Sequence, residues 1–260
     1  MRVDIYLAAA GYTASRKKAQ DLIDAGAVII DGDTVKKSSA LINEAVPHDV
    51  VIEQMFPYVS RGGVKLEAAL DAFKINVNRK KAVDVGASTG GFTDCLLKRG
   101  AAEIYAIDAG TDQLHESLRA DKRVHSIEGF NARELSLDIT NGECDIAVAD
   151  VSFISQTYII AQISSVLREG GVFISLIKPQ FEAGRSALGK NGVVTNSAYR
   201  FLAAKRVISF AVENGFDCLS LIRSPIDGGD GNREYLAYFV KKSCVKPQVD
   251  DKFIKRVTSL

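Results

Sequence analysis

The chain has 260 residues, of which 47% are hydrophobic and 25% charged, and its net charge is +1. Those fractions suit one large globular domain, or a large one plus a small one, and the near-zero charge excludes a global basic field. Any nucleic-acid binding must therefore come from local patches. Four widely spaced cysteines, Cys95, Cys144, Cys218 and Cys244, form no CxxC pair, which argues against a zinc site and for reduced thiols. No apolar run reaches membrane-spanning length, and an amino terminus with Asp4 and a break at Gly11 makes a poor signal peptide. The protein is expected in the cytoplasm.

The first 59 residues read as a small α+β module. Asp4–Ala10 is a short amphipathic helix, and Ser15 can cap a second helix, Arg16–Ala25, that stops at Gly26. Val28–Ile30, Asp31-Gly32 and Thr34–Lys36 read as a hairpin, with a further strand at Val50–Ile52. Arg16, Lys17 and Lys18 fall in the first turn of the second helix, where free N–H groups add to their charge in holding a phosphate. Arg2, Ser15, Lys36 and Lys37 complete the candidate patch. The segment holds six Lys or Arg against eight Asp or Glu, so charge alone leaves RNA binding and a plain solvated face evenly matched. The run LAAAGYTASRKKAQDLIDAGAVIIDG resembles the S4 RNA-binding domain, and that resemblance favours RNA.

Pro57-Tyr58-Val59 ends the module. Ser60-Arg61-Gly62-Gly63 is a phosphate-friendly turn, with Arg61 a further RNA candidate, and Val64–Phe73 reads as a helix. Lys65 lies off that helix's apolar face. It is a surface lysine by default, or one aimed into a neighbouring cleft.

The rest of the chain is organised around KAVDVGASTGGF, residues 81–92. An apolar strand, a turn with Gly86, Gly90 and Gly91, and a helix from Phe92 to Lys98 make the opening of a Rossmann unit. The glycines are expected to let the backbone pass close to a ligand. Asp108 follows a second strand, Ile104–Ile107, where a carboxylate can accept both ribose hydroxyls of an adenosine. Strands follow at Val124–Ile127, Cys144–Ala149 and Val172–Ile177, helices at Leu114–Leu118, Tyr158–Leu167 and Ala198–Asn214, and two last strands at Cys218–Arg223 and Tyr235–Val240. The loop between those last strands, Pro225–Arg233 with its DGG and DG, suits an antiparallel joint. A mostly parallel sheet with its last strand antiparallel is the methyltransferase variant of the Rossmann plan, and it favours S-adenosylmethionine over NAD.

Ligands in open α/β sheets lie beyond the carboxyl ends of the strands, which converges on Gly86, Asp108, Asp150 and Lys178. Methyl transfer to a ribose hydroxyl needs in-line alignment and a proton acceptor. A lysine serves only if neutral; a sulfonium and Lys65 nearby favour the amine, and Asp150 favours the ammonium unless it orients it instead. Glu234 can reach the same cleft, and Glu182 is the competing carboxylate. No Pro-Pro-Tyr follows Asp150, as a base-amine methyltransferase would usually carry, and no cysteine is placed to attack a pyrimidine. Both point to the ribose oxygen.

Together with the S4-like module, SRGGVKL, DVGASTGGFTD, AIDAG, ADVSFIS, LIKPQFE and GNREYL resemble the TlyA, or hemolysin A-type, ribosomal RNA 2′-O-methyltransferases, whose catalytic domain is FtsJ-like. The resemblance implies a Lys-Asp-Lys-Glu set at Lys65, Asp150, Lys178 and Glu234, with Lys178 as proton acceptor, Asp150 its orienter, and Lys65 and Glu234 positioning the ribose. It implies cofactor contacts at Asp84, Gly86, Ser88, Gly90, Phe92 and Asp108, with Asn131 for the adenine. It further implies ribosomal RNA, with cytidine the nucleotide, as substrate. The expected plan is an S4-like domain at 1–59, a methyltransferase domain at 60–243 and a tail, a short helix or disordered, at 244–260, in a monomer that needs no metal or membrane.

His48, His115 and His125 show no metal spacing. Gly184–Val194 reads as a mobile or plain surface loop. Phe153 and Phe181 flank the cleft and are either core or a stacking surface for a flipped nucleotide. A non-catalytic RNA-binding protein, a membrane-active hemolysin and a nicotinamide dehydrogenase are the competing readings.

Overall fold

The computed structural model describes residues 1–13, 15–24, 26–52, 57–228, 231–242 and 249–259, apart from the side chains at 21, 24 and 190. Ala25, Gly229, Asp230 and Cys244 lie outside the described residues. The chain divides into two compact units, Met1–Pro57 and Tyr58–Leu260.

The smaller unit contains α1 (Val3–Ala9), α2 (Arg16–Asp24), β1 (Val28–Ile30), β2 (Asp33–Thr34) and β3 (Val50–Ile52). Ser15 Oγ accepts the Lys18 N–H and caps α2. Ile30 faces Asp33 across a two-residue turn in which Asp31 and Gly32 both have positive φ, the geometry that favours Asp-Gly. β1 lies between β2 and β3, antiparallel to both. Val3, Leu7, Ala19, Ile23, Val28 and Ile30 form a core of small extent, as a module of this length dictates.

The larger unit runs α3 (Gly62–Ala72), β4 (Lys81–Val85), α4 (Gly91–Lys98), β5 (Glu103–Ile107), α5 (Glu116–Arg119), β6 (Val124–Ile127), β7 (Cys144–Ala149), α6 (Ile160–Val166), β8 (Leu167–Ile177), α7 (Pro179–Glu182), α8 (Ser197–Glu213), β9 (Phe216–Arg223), β10 (Tyr235–Lys241) and α9 (Asp251–Ser259). Among the described residues its sheet has the order β6-β5-β4-β7-β8-β10-β9. Strands β4 to β8 pair in parallel, and β10 slots between β8 and β9 antiparallel to both. The sheet is thus mostly parallel with its last strand reversed, as expected.

Alternation along the strands divides the core in two. Val83 and Val85 join Ala147, Phe173, Tyr235 and Phe239 on the face covered by α6, α8 and α9. Ala82, Ile104, Ile146, Ile174 and Leu236 join Leu66, Leu70 and Leu96 from α3 and α4 on the other. Full burial of each large side chain contributes roughly 1.5–3 kcal/mol.

One segment departs from expectation. The helix expected over 158–167 is a 3-10 turn at Gln156–Tyr158 followed by α6, because Leu167 already pairs with Cys144 at the start of β8. Gly170, at φ +70, and Gly171, where a Cβ would stand 2.8 Å from the Arg168 carbonyl oxygen, turn the chain within that strand. The terminal stretch, expected as a short helix or a disordered tail, carries the helix α9, whose Ile254 and Val257 are buried in the core of the larger unit.

Candidate active site

The turn after β4 shows why its glycines are glycines. Gly86 has φ +85, and a Cβ there would lie 2.7 Å from the carbonyl oxygen of Asp150. At Gly90, φ +96, a Cβ would enter the Leu118 side chain, and at Gly91 it would strike Ser60 Oγ. At each of these positions the space a side chain would need is already filled by neighbouring chain. The effect is to bring the ends of β4 and β7 together, with Asp150 N donating to Val85 O at 3.0 Å.

Three carboxylates surround this turn. Asp108, just past β5, accepts the Ser88 N–H on Oδ2 and the Gly110 N–H on Oδ1, each at 2.7 Å. Ser88 itself sits at φ +47, a conformation that aims its N–H at this partner. Asp84 is fully buried within β4; its Oδ2 accepts the Thr93 hydroxyl at 2.7 Å, and its Oδ1 has no hydrogen-bond partner. Burial first, and then the charges of Asp150 and Asp108, push its carboxyl up to about 7, against the pull of the Thr93 hydrogen bonds. Asn131 caps a 3-10 turn through Arg133 N and is exposed at the rim. Phe92 is the exception in the set: only 2% exposed, it lies in the core beneath the turn.

Asp150 follows β7 and Lys178 follows β8, on adjacent parallel strands. Lys178 Nζ stands 2.6 Å from Asp150 Oδ1 and donates to Ser152 Oγ at 2.7 Å. The Asp150 contact is an ion pair off the hydrogen-bonding direction, since that oxygen accepts no hydrogen bond of good geometry. Glu234 sits next to Tyr235, which faces Ile177 across β10 and β8, so it emerges beside Lys178 at the same sheet edge. Its Oε2 meets Lys65 Nζ from α3 at 2.5 Å. The four residues therefore form two ion pairs at the ends of three neighbouring strands. The Asp150–Lys178 pair is partly open to solvent, whereas Lys65 and Glu234 are both buried.

Phe153 is 88% exposed at φ +64, with its ring 5.2 Å from that of Phe181, and so does not belong to the core. Glu182 does not compete for the Lys178 amine. It is buried and accepts the Ser155 hydroxyl at 2.6 Å and the Gln156 N–H at 2.7 Å. The loop 184–194 is tied down by Asn232, whose side chain accepts from Val194 N and donates to Gly192 O. Ser152 was not among the sequence candidates; its only signal is the position two residues beyond Asp150.

Cys95, Cys144 and Cys218 are buried, and burial pushes the Cys144 thiol up to about 11, so it offers little nucleophile. His48 bridges Asp31 and Asn43 O, His115 caps α5, and His125 pairs with Glu103. Among the described residues, no three His, Cys, Asp or Glu side chains are grouped to hold a metal ion. Nor is any helix among them long and apolar enough to cross a membrane.

In the smaller unit, Arg2 and Arg16 are engaged internally. Buried Asp4 accepts from Arg2 Nε and Nη2 at 3.0 Å, from Arg16 Nε at 2.9 Å and from Gln20 Nε2 at 2.6 Å. Burial alone would raise the Asp4 carboxyl; the Arg2, Gln20 and Arg16 hydrogen bonds outweigh it and hold the group well below the usual carboxylate range. Lys17, Lys36 and Lys37 are exposed, and Lys18 is half-buried. Arg61, in the larger unit, donates to the Asp227 carbonyl at 2.5 Å.

Comparison with known proteins identifies the family. The FtsJ-like methyltransferase family model matches residues 58–241, and the S4 domain model matches residues 1–45. Hemolysin A of Brachyspira hyodysenteriae is 45% identical over 241 residues, covering 92% of this chain and all of that one. The 16S/23S rRNA (cytidine-2′-O)-methyltransferase TlyA of Mycobacterium tuberculosis is 40% identical over 237 residues, 91% of this chain and 88% of that one. The solved structure of a hemolysin-named protein from Streptococcus thermophilus superposes with a TM-score of 0.80 at 40% identity, covering all of this chain and 94% of that one. With a glycine turn, an acidic rim and a carboxylate–lysine pair at one sheet edge, this chain belongs to the FtsJ-like methyltransferase family and carries an S4 domain at its amino terminus.

Proposed function

We propose that the protein methylates a ribose 2′-hydroxyl of ribosomal RNA, at a cytidine, using S-adenosylmethionine, and docks on the RNA through its S4 domain. The observation that carries the reading is the Asp150–Lys178 pair, 2.6 Å apart beside the β4 turn. The named activity of the Mycobacterium tuberculosis relative supports the choice of substrate.

The residues present fit the cofactor. S-adenosylmethionine carries a sulfonium and an ammonium, and the turn is ringed by Asp84, Asp108 and Asp150. The partnerless, buried Oδ1 of Asp84 marks a place where positive charge is wanted. Asp108 spends one lone pair of each oxygen on backbone N–H groups, which leaves the others for the ribose hydroxyls. When bound, the cofactor supplies an electrophilic methyl group.

Lys178, as the neutral amine, takes the proton of the 2′-hydroxyl as the oxygen forms its bond to the methyl carbon. Asp150 holds the amine at the sheet edge and stabilises the ammonium that results. Lys65 and Glu234, locked together, brace the far wall of the cleft. Exposed Phe153, with Phe181 behind it, offers a stacking surface for a base drawn out of the RNA.

The test is tritiated methyl transfer to separated ribosomal subunits, followed by nucleoside mapping. Label in 2′-O-methylcytidine is expected, and Lys178→Ala is expected to bind S-adenosylmethionine in calorimetry while losing transfer. No incorporation with any ribosomal substrate would favour a non-catalytic RNA-binding protein. Because a relative is named hemolysin A, dye release from vesicles belongs in the same experiment; none is expected.

A further inference from the structure

We propose that Ser152 is a positioning residue that sets the direction of the Lys178 lone pair, an inference that rests on Lys178 being the proton acceptor. A neutral primary amine carries two N–H groups and one lone pair. Holding one N–H leaves the lone pair two tetrahedral positions, and a neighbouring carboxylate disfavours the one that faces it. Two oxygens lie within reach of Lys178 Nζ: Asp150 Oδ1 at 2.6 Å and Ser152 Oγ at 2.7 Å. Only the second contact has the geometry of a hydrogen bond, because Asp150 Oδ1 accepts none of good geometry. Asp150 thus supplies charge, which is nearly directionless, and Ser152 supplies the direction. The Phe181 ring, 5.9 Å from Nζ, flanks the amine on a third side.

Ser152 is itself held in place. Its carbonyl leads into Phe153, whose left-handed backbone turns the chain sharply, a conformation that persists only when its surroundings impose it. Glu182 ties the far end of this loop down. Its buried carboxylate accepts Ser155 Oγ and Gln156 N from the end of the same loop. Gln156 in turn donates to Leu176 O and accepts from Ser175 Oγ, both in β8. Glu182 sits on α7, the helix that begins immediately after Lys178. The serine and the lysine are therefore fixed to one buried polar clamp, and their separation is set by it.

The step balances without another reactant. The hydroxyl proton passes to Nζ as the oxygen–methyl bond forms and the carbon–sulfur bond breaks, leaving a neutral thioether and a lysine ammonium. Ser152 Oγ accepts an N–H from the amine before the step and from the ammonium after it, so the contact needs no rearrangement. Since Ser152 is exposed, its hydroxyl contributes little to folding, and its loss should be felt in turnover.

The experiment compares the full-length wild type, Ser152→Ala, Ser152→Thr and Lys178→Ala in methyl transfer to ribosomal subunits, with Tm and S-adenosylmethionine affinity measured for each. Ser152→Ala is expected to lower kcat about tenfold, the scale of one lost directing hydrogen bond. KM for RNA, cofactor affinity and Tm should stay at wild-type values, and Ser152→Thr, which restores the hydroxyl, should recover most of the rate. Wild-type kcat in Ser152→Ala overturns the inference, as does a loss that tracks a fall in Tm or that threonine does not rescue. Lys178→Ala separates the two levels. If it is inactive while Ser152→Ala is unimpaired, only the role of Ser152 falls; if it turns over normally, the proposed role of Lys178 falls with it.

Discussion

Lys65 and Glu234 meet at 2.5 Å in near-complete burial, although 169 residues separate them in the chain. Their pairing joins α3, at the start of the larger unit, to β10, near its end. A cation and an anion taken out of water together are tolerable, but either alone is not. Lys65→Met should therefore cost about 3–5 kcal/mol in chemical denaturation, as should Glu234→Leu. The double variant should lose much less than the sum, because no charge is then left unpaired. Additive losses would mean that the two charges do not depend on each other.

Asp84 makes the stability of the larger unit depend on pH in an unusual direction for a carboxylate. Its folded-state value is about 7, above the ordinary 3.8. The native state therefore holds this proton more tightly than the unfolded chain does. The contribution is fully present below pH 4, is lost as pH rises towards 7, and is flat beyond. At 1.36 kcal/mol per pH unit the whole span is on the order of 4 kcal/mol. Asp84→Asn, which cannot ionise, should flatten Tm between pH 4 and 7 and raise it at pH 8 in the absence of ligand. A bound cation beside Oδ1 should do the reverse and favour the carboxylate, so S-adenosylmethionine should raise Tm more in wild type than in Asp84→Asn.

The strand ends that define this site are visible in the sequence because each combines an apolar run with an abrupt polar stop: Val85 to Gly86, Ile107 to Asp108, Ala149 to Asp150, Ile177 to Lys178. Periodicity carries that much. It does not carry strand order, so the insertion of β10 between β8 and β9, which places Glu234 beside Lys178, is a product of tertiary pairing. Nor can it distinguish a glycine that clears a ligand from one that clears a neighbouring strand, as Gly86 does against Asp150. Phe153 and Glu182 invert their intrinsic preferences, the aromatic exposed and the carboxylate buried. The burial of Glu182 comes with the clamp that binds Ser155 and Gln156 to α7, and a local reading of residue type does not reveal it.

The basic candidates of the S4 domain divide by what Asp4 does with them. Arg2 and Arg16 neutralise a buried carboxylate, so Arg2→Ala should mainly destabilise the smaller unit, with a lower Tm or earlier proteolysis. Lys36 and Lys37 are exposed beyond the β1–β2 hairpin. Replacing either with alanine should leave stability unchanged, weaken RNA binding, and reduce the slope of log K against log salt by roughly 1. Filter binding across a salt series separates the two classes. An unchanged slope in both lysine variants would remove them from the RNA interface.

Phe153 allows folding and RNA engagement to be separated at a single position. An exposed phenylalanine in the left-handed region loses on both counts: its ring gains little from burial, and its backbone is strained. Phe153→Ala should therefore leave Tm near its wild-type value, and Phe153→Gly, free of the strain, should hold or raise it. If the ring stacks on a displaced base, the alanine variant loses an interaction worth about 1–3 kcal/mol, or roughly 5- to 150-fold in kcat/KM for RNA. Phe153→Tyr or Phe153→Trp should retain most of it, since each presents an aromatic face. Affinity for S-adenosylmethionine should not change in any of the four, because the ring lies on the Phe181 side of Lys178. Steady-state methyl transfer with varied RNA, alongside calorimetry with the cofactor, gives both readings; a kcat/KM for Phe153→Ala equal to that of the wild type would leave the exposed ring without a part in substrate binding.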